Sequence, residues 1–281
     1  MSGGIRVWVN GRLVEPDAPV LSALDHGVTV GDGVFETVKV EQGKAFALRR
    51  HHARLRRSAA GLGLPDVDLD LLGEGIAAVL DGHELDFGRL RYSVTGGPGP
   101  LGSDRLAAQP TYIVLAGPQP RPPGSGALVL VPWTRNERSA VAGLKTTSYA
   151  ENVVALAYAK QRGGIEAVFA NTRGELCECT GSNIFVVRDG VVLTPPAQSG
   201  PLLGITRELT IEWAGQSGIP AQETALPLSV LGDADEVFIT STTKDILPVH
   251  AVDGRALPSE RPVTTRLQQI FRANAARDLD P

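Results

Sequence analysis

Lysine is the scarce residue here. Only five (Lys39, Lys44, Lys145, Lys160 and Lys244) stand among 27 basic residues, so arginine carries nearly all routine positive charge and each lysine calls for a reason. Cysteine is scarcer: Cys177 and Cys179 stand two apart in a strand-like run, which turns both side chains to one face. No further ligands at zinc spacing lie near them, so they read as small buried residues, and no metal site is expected. No apolar run approaches the ~20 residues a spanning helix needs. The N-terminus lacks the charged start and apolar run of a signal peptide, so a cytoplasmic protein without a membrane partner is expected. A net charge of −4 gives no sign of a nucleic-acid binder. The basic run from Arg49 to Arg57 reads as a solvated helix face or a small-anion site. Repeats and low-complexity tracts are absent.

What is present describes a globular protein: 42% hydrophobic and 21% charged residues over 281 positions, enough for two domains or one large α/β unit. Ile5–Val9 alternates as a strand, and Asn10-Gly11 turns it back through Leu13-Val14. Gly31-Asp-Gly33 breaks the chain before the β-branched run Val34–Val40, which turns at Glu41-Gln-Gly43 and returns through Ala45–Leu48. Helical spacing follows over 49–60 and again over 69–80. Strands are expected at 89–95 and 111–115, flanking the breaker-rich loop Gly96-Gly-Pro-Gly-Pro-Leu-Gly102.

The segment from Gly117 to Gly126 has no core-forming residues and is the best linker candidate. Domains are therefore expected at 1–117 and 127–281, joined by 118–126. In the second half the pattern predicts strands at 127–131, 165–170, 176–179, 183–187, 221–225 and 236–240. Helices are predicted from Ser148 to Gln161, from Gly204 to about Gly218, and from Val263 to about Ala276. Mixed hairpins and helices on both sides of the linker argue for an α/β or α+β enzyme of two domains.

Within Gly143-Leu-Lys-Thr-Thr-Ser-Tyr149, Lys145 lies between a strand-like run and the start of a helix. A buried amine loses solvation of its charged form and can act as a Schiff-base nucleophile or proton carrier; a solvated surface lysine is the alternative, and the stretch alone leaves both open. Gly204-Ile-Thr206 opens a helix, where free N–H groups favour an anion, and Ser241-Thr242-Thr243 offers hydroxyls after a strand. Plain N-capping is the commoner reading of either one taken alone. Glu178 falls in a mostly apolar strand, where a buried carboxylate needs a cationic or proton-bearing partner; on an edge strand it would instead face water.

In order along the chain, Asp25–Thr37, His51-His-Ala-Arg-Leu55, Leu144-Lys-Thr146, Glu178–Phe185, Gly204-Ile-Thr-Arg207 and Ser241-Thr-Thr243 followed by Pro248-Val249 resemble the motifs of the fold-type IV pyridoxal phosphate enzymes. That family holds the class IV aminotransferases and aminodeoxychorismate lyase, and the resemblance runs from Val7 to about Gly254. It implies a two-domain fold with a small N-terminal and a larger C-terminal domain, a pyridoxal 5'-phosphate cofactor, a small-molecule substrate and a homodimer. It assigns Lys145 to the Schiff base and proton shuttle, and Glu178 to the ring nitrogen. Arg54, Ile205, Thr206 and Thr242 fall to the phosphate and Ser241 to the cofactor, with Phe35, Arg91 and Thr243 as substrate candidates.

Within the family, Gly31–Thr37 and Thr95–Gly102 look more like the lyase, which would form pyruvate and 4-aminobenzoate for folate synthesis. A transaminase acting on branched-chain or D-amino acids or amines is the alternative. Gly96 replaces the family's usual loop arginine, and His26 stands where arginine is common.

Overall fold

The computed structural model describes residues 4–106 and 108–281. The chain forms two compact units: Met1–Arg121 with Leu144–Tyr149 and Leu279–Pro281, and Pro122–Gly143 with Ala150–Asp278. The first break falls between Arg121 and Pro122. Lys145, however, belongs to the first unit rather than to the 127–281 half in which the sequence pattern had set it, and so do the last three residues. Pairings more than a hundred residues apart decide this: Phe35 donates its N–H to the Lys145 carbonyl at 3.1 Å, and Ala47 donates to that of Leu279 at 2.7 Å.

The first unit is built on a six-stranded antiparallel sheet. Its strands are β1 (Arg6–Val9), β2 (Arg12–Val14), β3 (Gly33–Glu41), β4 (Lys44–Ala45), β5 (Phe87–Thr95) and β6 (Thr111–Pro118), in the order β2-β1-β6-β5-β3-β4. Helices α1 (His26–Thr29), α2 (Leu48–Leu62) and α3 (Leu69–Leu80) complete it. Period-2 alternation in β3 sends Val34, Val38 and Val40 to the face where Leu55 and Ala59 of α2 and Leu72, Ile76 and Val79 of α3 form the core. The intervening residues Phe35, Thr37 and Lys39 occupy the other face with Arg89 and Arg91, which pair with Lys39 and Thr37 in register. Glu36 is the charged exception on the helix face.

The second unit holds β7 (Gly126–Arg135), α4 (Ala150–Lys160), β8 (Glu166–Asn171), β9 (Leu176–Cys179), β10 (Asn183–Arg188), β11 (Val191–Thr194), α5 (Ile205–Gln216) and β12 (Ala221–Glu223). Then follow α6 (Val230–Asp233), β13 (Glu236–Ser241), β14 (Asp245–Val252), β15 (Arg255–Ala256) and α7 (Pro262–Arg277). Its sheet runs β12-β11-β10-β13-β14-β7-β8-β9, with β15 on β14. Parallel pairing of β7 with β8 and β14 leaves these strands covered on both faces, hence the near-continuous apolar run of β7. Leu128 and Val168 join the main core, whereas Val129, Ala167 and Phe169 pack with Ala155 and Ala159 of α4.

Strand β14 is not among the expected strands, although it contains the motif residues Pro248-Val249. Pro248 lies opposite Phe238 of β13, and pairing with β7 begins at Val249. Cys177 and Cys179 are free and buried, with burial pushing both thiols up. Among the described residues no group of three or more His, Cys, Asp or Glu could hold a metal ion, and no helix is long and apolar enough to cross a membrane.

Candidate active site

Lys145 is held by its backbone. Its N–H donates to Ser58 Oγ of α2 at 3.1 Å, its carbonyl accepts from Phe35, and two residues on Thr147 donates its N–H to the Gly33 carbonyl at 2.8 Å. The hydroxyls of Thr147 and Ser148 both donate to the Gly31 carbonyl. This seating explains the Gly31-Asp-Gly33 motif. Gly31 has φ +68° and a Cβ there would lie 2.9 Å from Ser148 Oγ, while one on Gly33 would lie 3.0 Å from the Val94 carbonyl oxygen. The Lys145 amine ends 4.3 Å from the Phe35 ring centroid and 5.9 Å from that of Tyr149, and the two rings meet edge to face at 5.3 Å.

Arg91 lies over the same Phe35 ring at 3.8 Å. Among the described residues neither Arg91 nor Arg89 has an ion pair with a carboxylate. Burial pushes the Arg91 guanidinium below its usual value, Tyr149 opposes this, and the charge of Arg89 adds to it.

Arg54 is gripped by a partner that motif reading did not assign. Its Nε donates to Glu36 Oε1 at 2.8 Å and its Nη2 to Glu36 Oε2 at 2.7 Å, while His51 Nδ1 lies 2.7 Å from Oε2. All three are buried. Burial alone would raise the Glu36 carboxyl, but the charge and hydrogen bonds of Arg54, then those of His51, hold it well below the usual carboxylate range. His51 is pushed down by burial, against the pull of Glu36, and so stays neutral near pH 7 with its Nδ1–H donating to the carboxylate. A signal existed: His51 and Arg54 stand three apart on one helix, which places them on one face.

Two departures noted in the sequence find physical reasons here. A Cβ on Gly96 would lie 2.3 Å from Asp32 Oδ2, and Asp32 is taken by Arg105 through Nε and Nη2 at 2.5 Å each. Position 96 therefore has no room for a side chain. His26 is fully buried and its Nε2 lies 2.9 Å from the Pro100 carbonyl oxygen, so it braces the glycine-rich loop.

In the second unit Glu178 Oε2 accepts from the Leu202 N–H at 3.0 Å, and Arg135 Nε lies 3.6 Å from Oε1. Arg135, also missed in the sequence, stacks over Phe169 at 4.3 Å and pairs with Glu151. Ile205 and Thr206 open α5, where Gly204 supplies no side-chain cap, and a Cβ on Gly204 would lie 2.2 Å from Asn183 Oδ1. Ser241 Oγ and Thr240 Oγ1 are buried without a hydrogen-bond partner among the described residues. Thr242 and Thr243 follow Ser241 in the turn after β13 and are partly buried.

The family model for amino-transferase class IV matches residues 33–252. The chain belongs to the class IV aminotransferases. A Methanocaldococcus jannaschii protein assigned as a branched-chain-amino-acid aminotransferase is 34% identical, covering 95% of this chain and 96% of its own. The D-alanine aminotransferase of Listeria innocua is 32% identical, covering 95% of each. Among solved structures, the branched-chain amino acid aminotransferase of Escherichia coli superposes with a TM-score of 0.90 at 28% identity, covering 96% of this chain and 94% of the other. A Legionella pneumophila structure assigned as a 4-amino-4-deoxychorismate lyase gives 0.83 at 26%, covering 92% and 97%. The mixed α/β fold is thus that of the fold-type IV transaminases. The expected lyase activity receives no specific support, and the aminotransferase alternative is the better supported of the two.

Class IV aminotransferases depend on pyridoxal phosphate, and the second unit fits that group. The unsatisfied buried hydroxyl of Ser241 and an uncapped helix start are donors suited to a phosphate. Glu178, held by the Leu202 N–H and beside Arg135, is a carboxylate suited to a ring-nitrogen proton.

Proposed function

We propose that this enzyme is an aminotransferase for amino acids bearing a free carboxylate, with branched-chain and D-amino acids as the donor classes that its relatives' names suggest. The observation that carries the reading is Arg91. A partly buried guanidinium that stacks on Phe35 and pairs with no carboxylate among the described residues is available to a substrate carboxylate. Lys145 and Arg91 lie against one ring, so their charges are separated by no more than the sum of the two ring distances.

Bound pyridoxal phosphate supplies an electron sink that acidifies the α-proton of the substrate. Lys145 provides the amine to which the cofactor attaches, and its released Nζ carries that proton; Phe35 and Tyr149 shield it from water. Glu178, oriented by Leu202 and Arg135, holds the ring-nitrogen proton. The N–H groups of Ile205 and Thr206, the hydroxyls of Ser241 and Thr242, and Arg54 hold the phosphate, with the Arg54 rotamer set by Glu36. Thr243, next in the same turn, is offered as a substrate contact.

The test is a single turnover of purified holoenzyme without an amino acceptor. Release of the matching oxo acid from a branched-chain amino acid or from D-alanine, with the cofactor left in its amine form, is the expected result. Pyruvate and 4-aminobenzoate from aminodeoxychorismate, with no oxo acid from any amino acid, would restore the lyase reading. Arg91→Leu is expected to lose a charged hydrogen-bonding partner of about 1.5–3 kcal/mol, raising KM for the amino acid roughly 10- to 150-fold with a smaller change in kcat. An unchanged KM would remove Arg91 from the substrate.

The proposal includes a homodimer. Exposed apolar side chains gather at Val20, Leu21, Leu24, Val28 and Val30, and again at Leu101 and Leu106. Such surface marks association sites. Light scattering is expected to give twice the chain mass, and a fully active monomer would contradict it.

A further inference from the structure

Glu166 has no part in the chemistry above, yet its buried carboxylate accepts four donors. On one oxygen, Thr180 Oγ1 donates at 2.6 Å and the Gly181 N–H at 2.8 Å; on the other, Ser182 Oγ donates at 2.7 Å and Lys244 Nζ at 2.6 Å. These donors come from two separate places. Residues 180–182 are the turn that leads from β9, which carries Glu178, into β10. Lys244 closes the turn that begins at Ser241, with its N–H donating to the Ser241 carbonyl at 3.1 Å.

A third tie runs from the same β9–β10 segment to the start of α5. Leu202 donates its N–H to Glu178, and its carbonyl accepts from Asn183 Nδ2 at 2.7 Å. One carboxylate thus links the strand bearing the ring-nitrogen acid to the hydroxyl turn, and that strand is in turn tied to the anion-binding helix start. Burial would raise the Glu166 carboxyl, but the charge and hydrogen bond of Lys244, then Thr180 and Ser182, hold it below its ordinary value, so the cluster is an ion pair at neutral pH.

We infer that Glu166 and Lys244 are positioning residues that set the Ser241–Thr243 turn against the Glu178 strand, and with it the grip on the cofactor's phosphate. The inference rests on the phosphate role proposed for that turn. Two independently swinging segments would have to be ordered on binding. A turn locked in advance avoids that cost.

The experiment titrates apo-protein with pyridoxal phosphate and, separately, with pyridoxal, which lacks the phosphate. Lys244 is the position to change, being partly exposed, whereas Glu166 is not. Lys244→Met is expected to weaken pyridoxal phosphate about tenfold, the equivalent of one lost charged hydrogen bond. Pyridoxal binding should change less than twofold, and Lys244→Arg should recover most of the loss. Pyridoxal phosphate binding unchanged in Lys244→Met overturns the inference, as does equal loss of both ligands in a protein that melts normally. Should Lys244→Met fail to fold, Thr180→Val removes one donor and is read by the same ratio, expected to fall roughly threefold; no fall counts against the inference. Wild-type protein that binds pyridoxal and its phosphate equally would instead refute the phosphate site itself.

Discussion

Lys145→Ala is expected to lower turnover by about 10⁴-fold or more, because it removes both the nucleophile and the proton carrier. Borohydride treatment should fix pyridoxal phosphate covalently to the wild-type chain and leave none on the variant, which mass spectrometry reads directly. The fold should survive. What seats this segment is its backbone and its neighbours: the bond from Lys145 N–H to Ser58, the Phe35 bond to its carbonyl, and the Thr147 and Ser148 bonds to Gly31. An alanine keeps all of them, so normal melting with lost chemistry is the expected pair of results. If small primary amines added to Lys145→Ala restore part of the rate, the side chain acts through its amine. Wild-type turnover in the variant would end the assignment of Lys145.

The second large effect is on stability. Glu36→Ala leaves the buried Arg54 guanidinium without its carboxylate, and breaking such a pair costs about 3–5 kcal/mol. A fall in Tm on the order of 10 °C for the first unit's transition is expected. Glu36 also makes an acid limb. Its folded pKa lies below the ordinary 4.5, so its contribution is complete above that value and is lost as pH falls below it towards the folded pKa. Glu36→Gln should therefore flatten the decline in stability below about pH 4.5 relative to wild type. Equal steepness in both proteins would show that the acid limb comes from other groups. Pyridoxal phosphate affinity of Glu36→Gln, measured alongside, tests the phosphate role proposed for Arg54, because the amide keeps the shape of the partner but not the charge that orients the guanidinium.

Local pattern made much of this molecule legible. Helix α3 falls at the residues that the apolar spacing predicted, and α2 extends its prediction by one residue at the start and two at the end. Strand β3 shows the alternation read from its β-branched run, with a positive φ at Gln42 and Gly43 in the turn that follows. Strand β11 was overlooked because four residues after Asp189-Gly190 are too few for a periodic signal, and β14 was not read as a strand. Lys145, Glu178, Thr206 and Ser241 stood out because each sits at a junction or in a setting where its type is unexpected. Glu36, Arg105, Arg135 and Glu166 did not. Each works through a partner brought to it by a sheet or helix from elsewhere in the chain, as with Arg105 and Asp32, 73 positions apart.

By itself, then, the sequence determined most of the elements and the mixed α/β class, because periodicity and turn chemistry act over a few residues. The tertiary structure decided that Lys145 packs with the first unit, that Arg54 is locked by Glu36 and His51, and that Gly96 leaves its space to Asp32. Those outcomes depend on burial, which makes an unpaired charge costly, and burial exists only once distant segments have met.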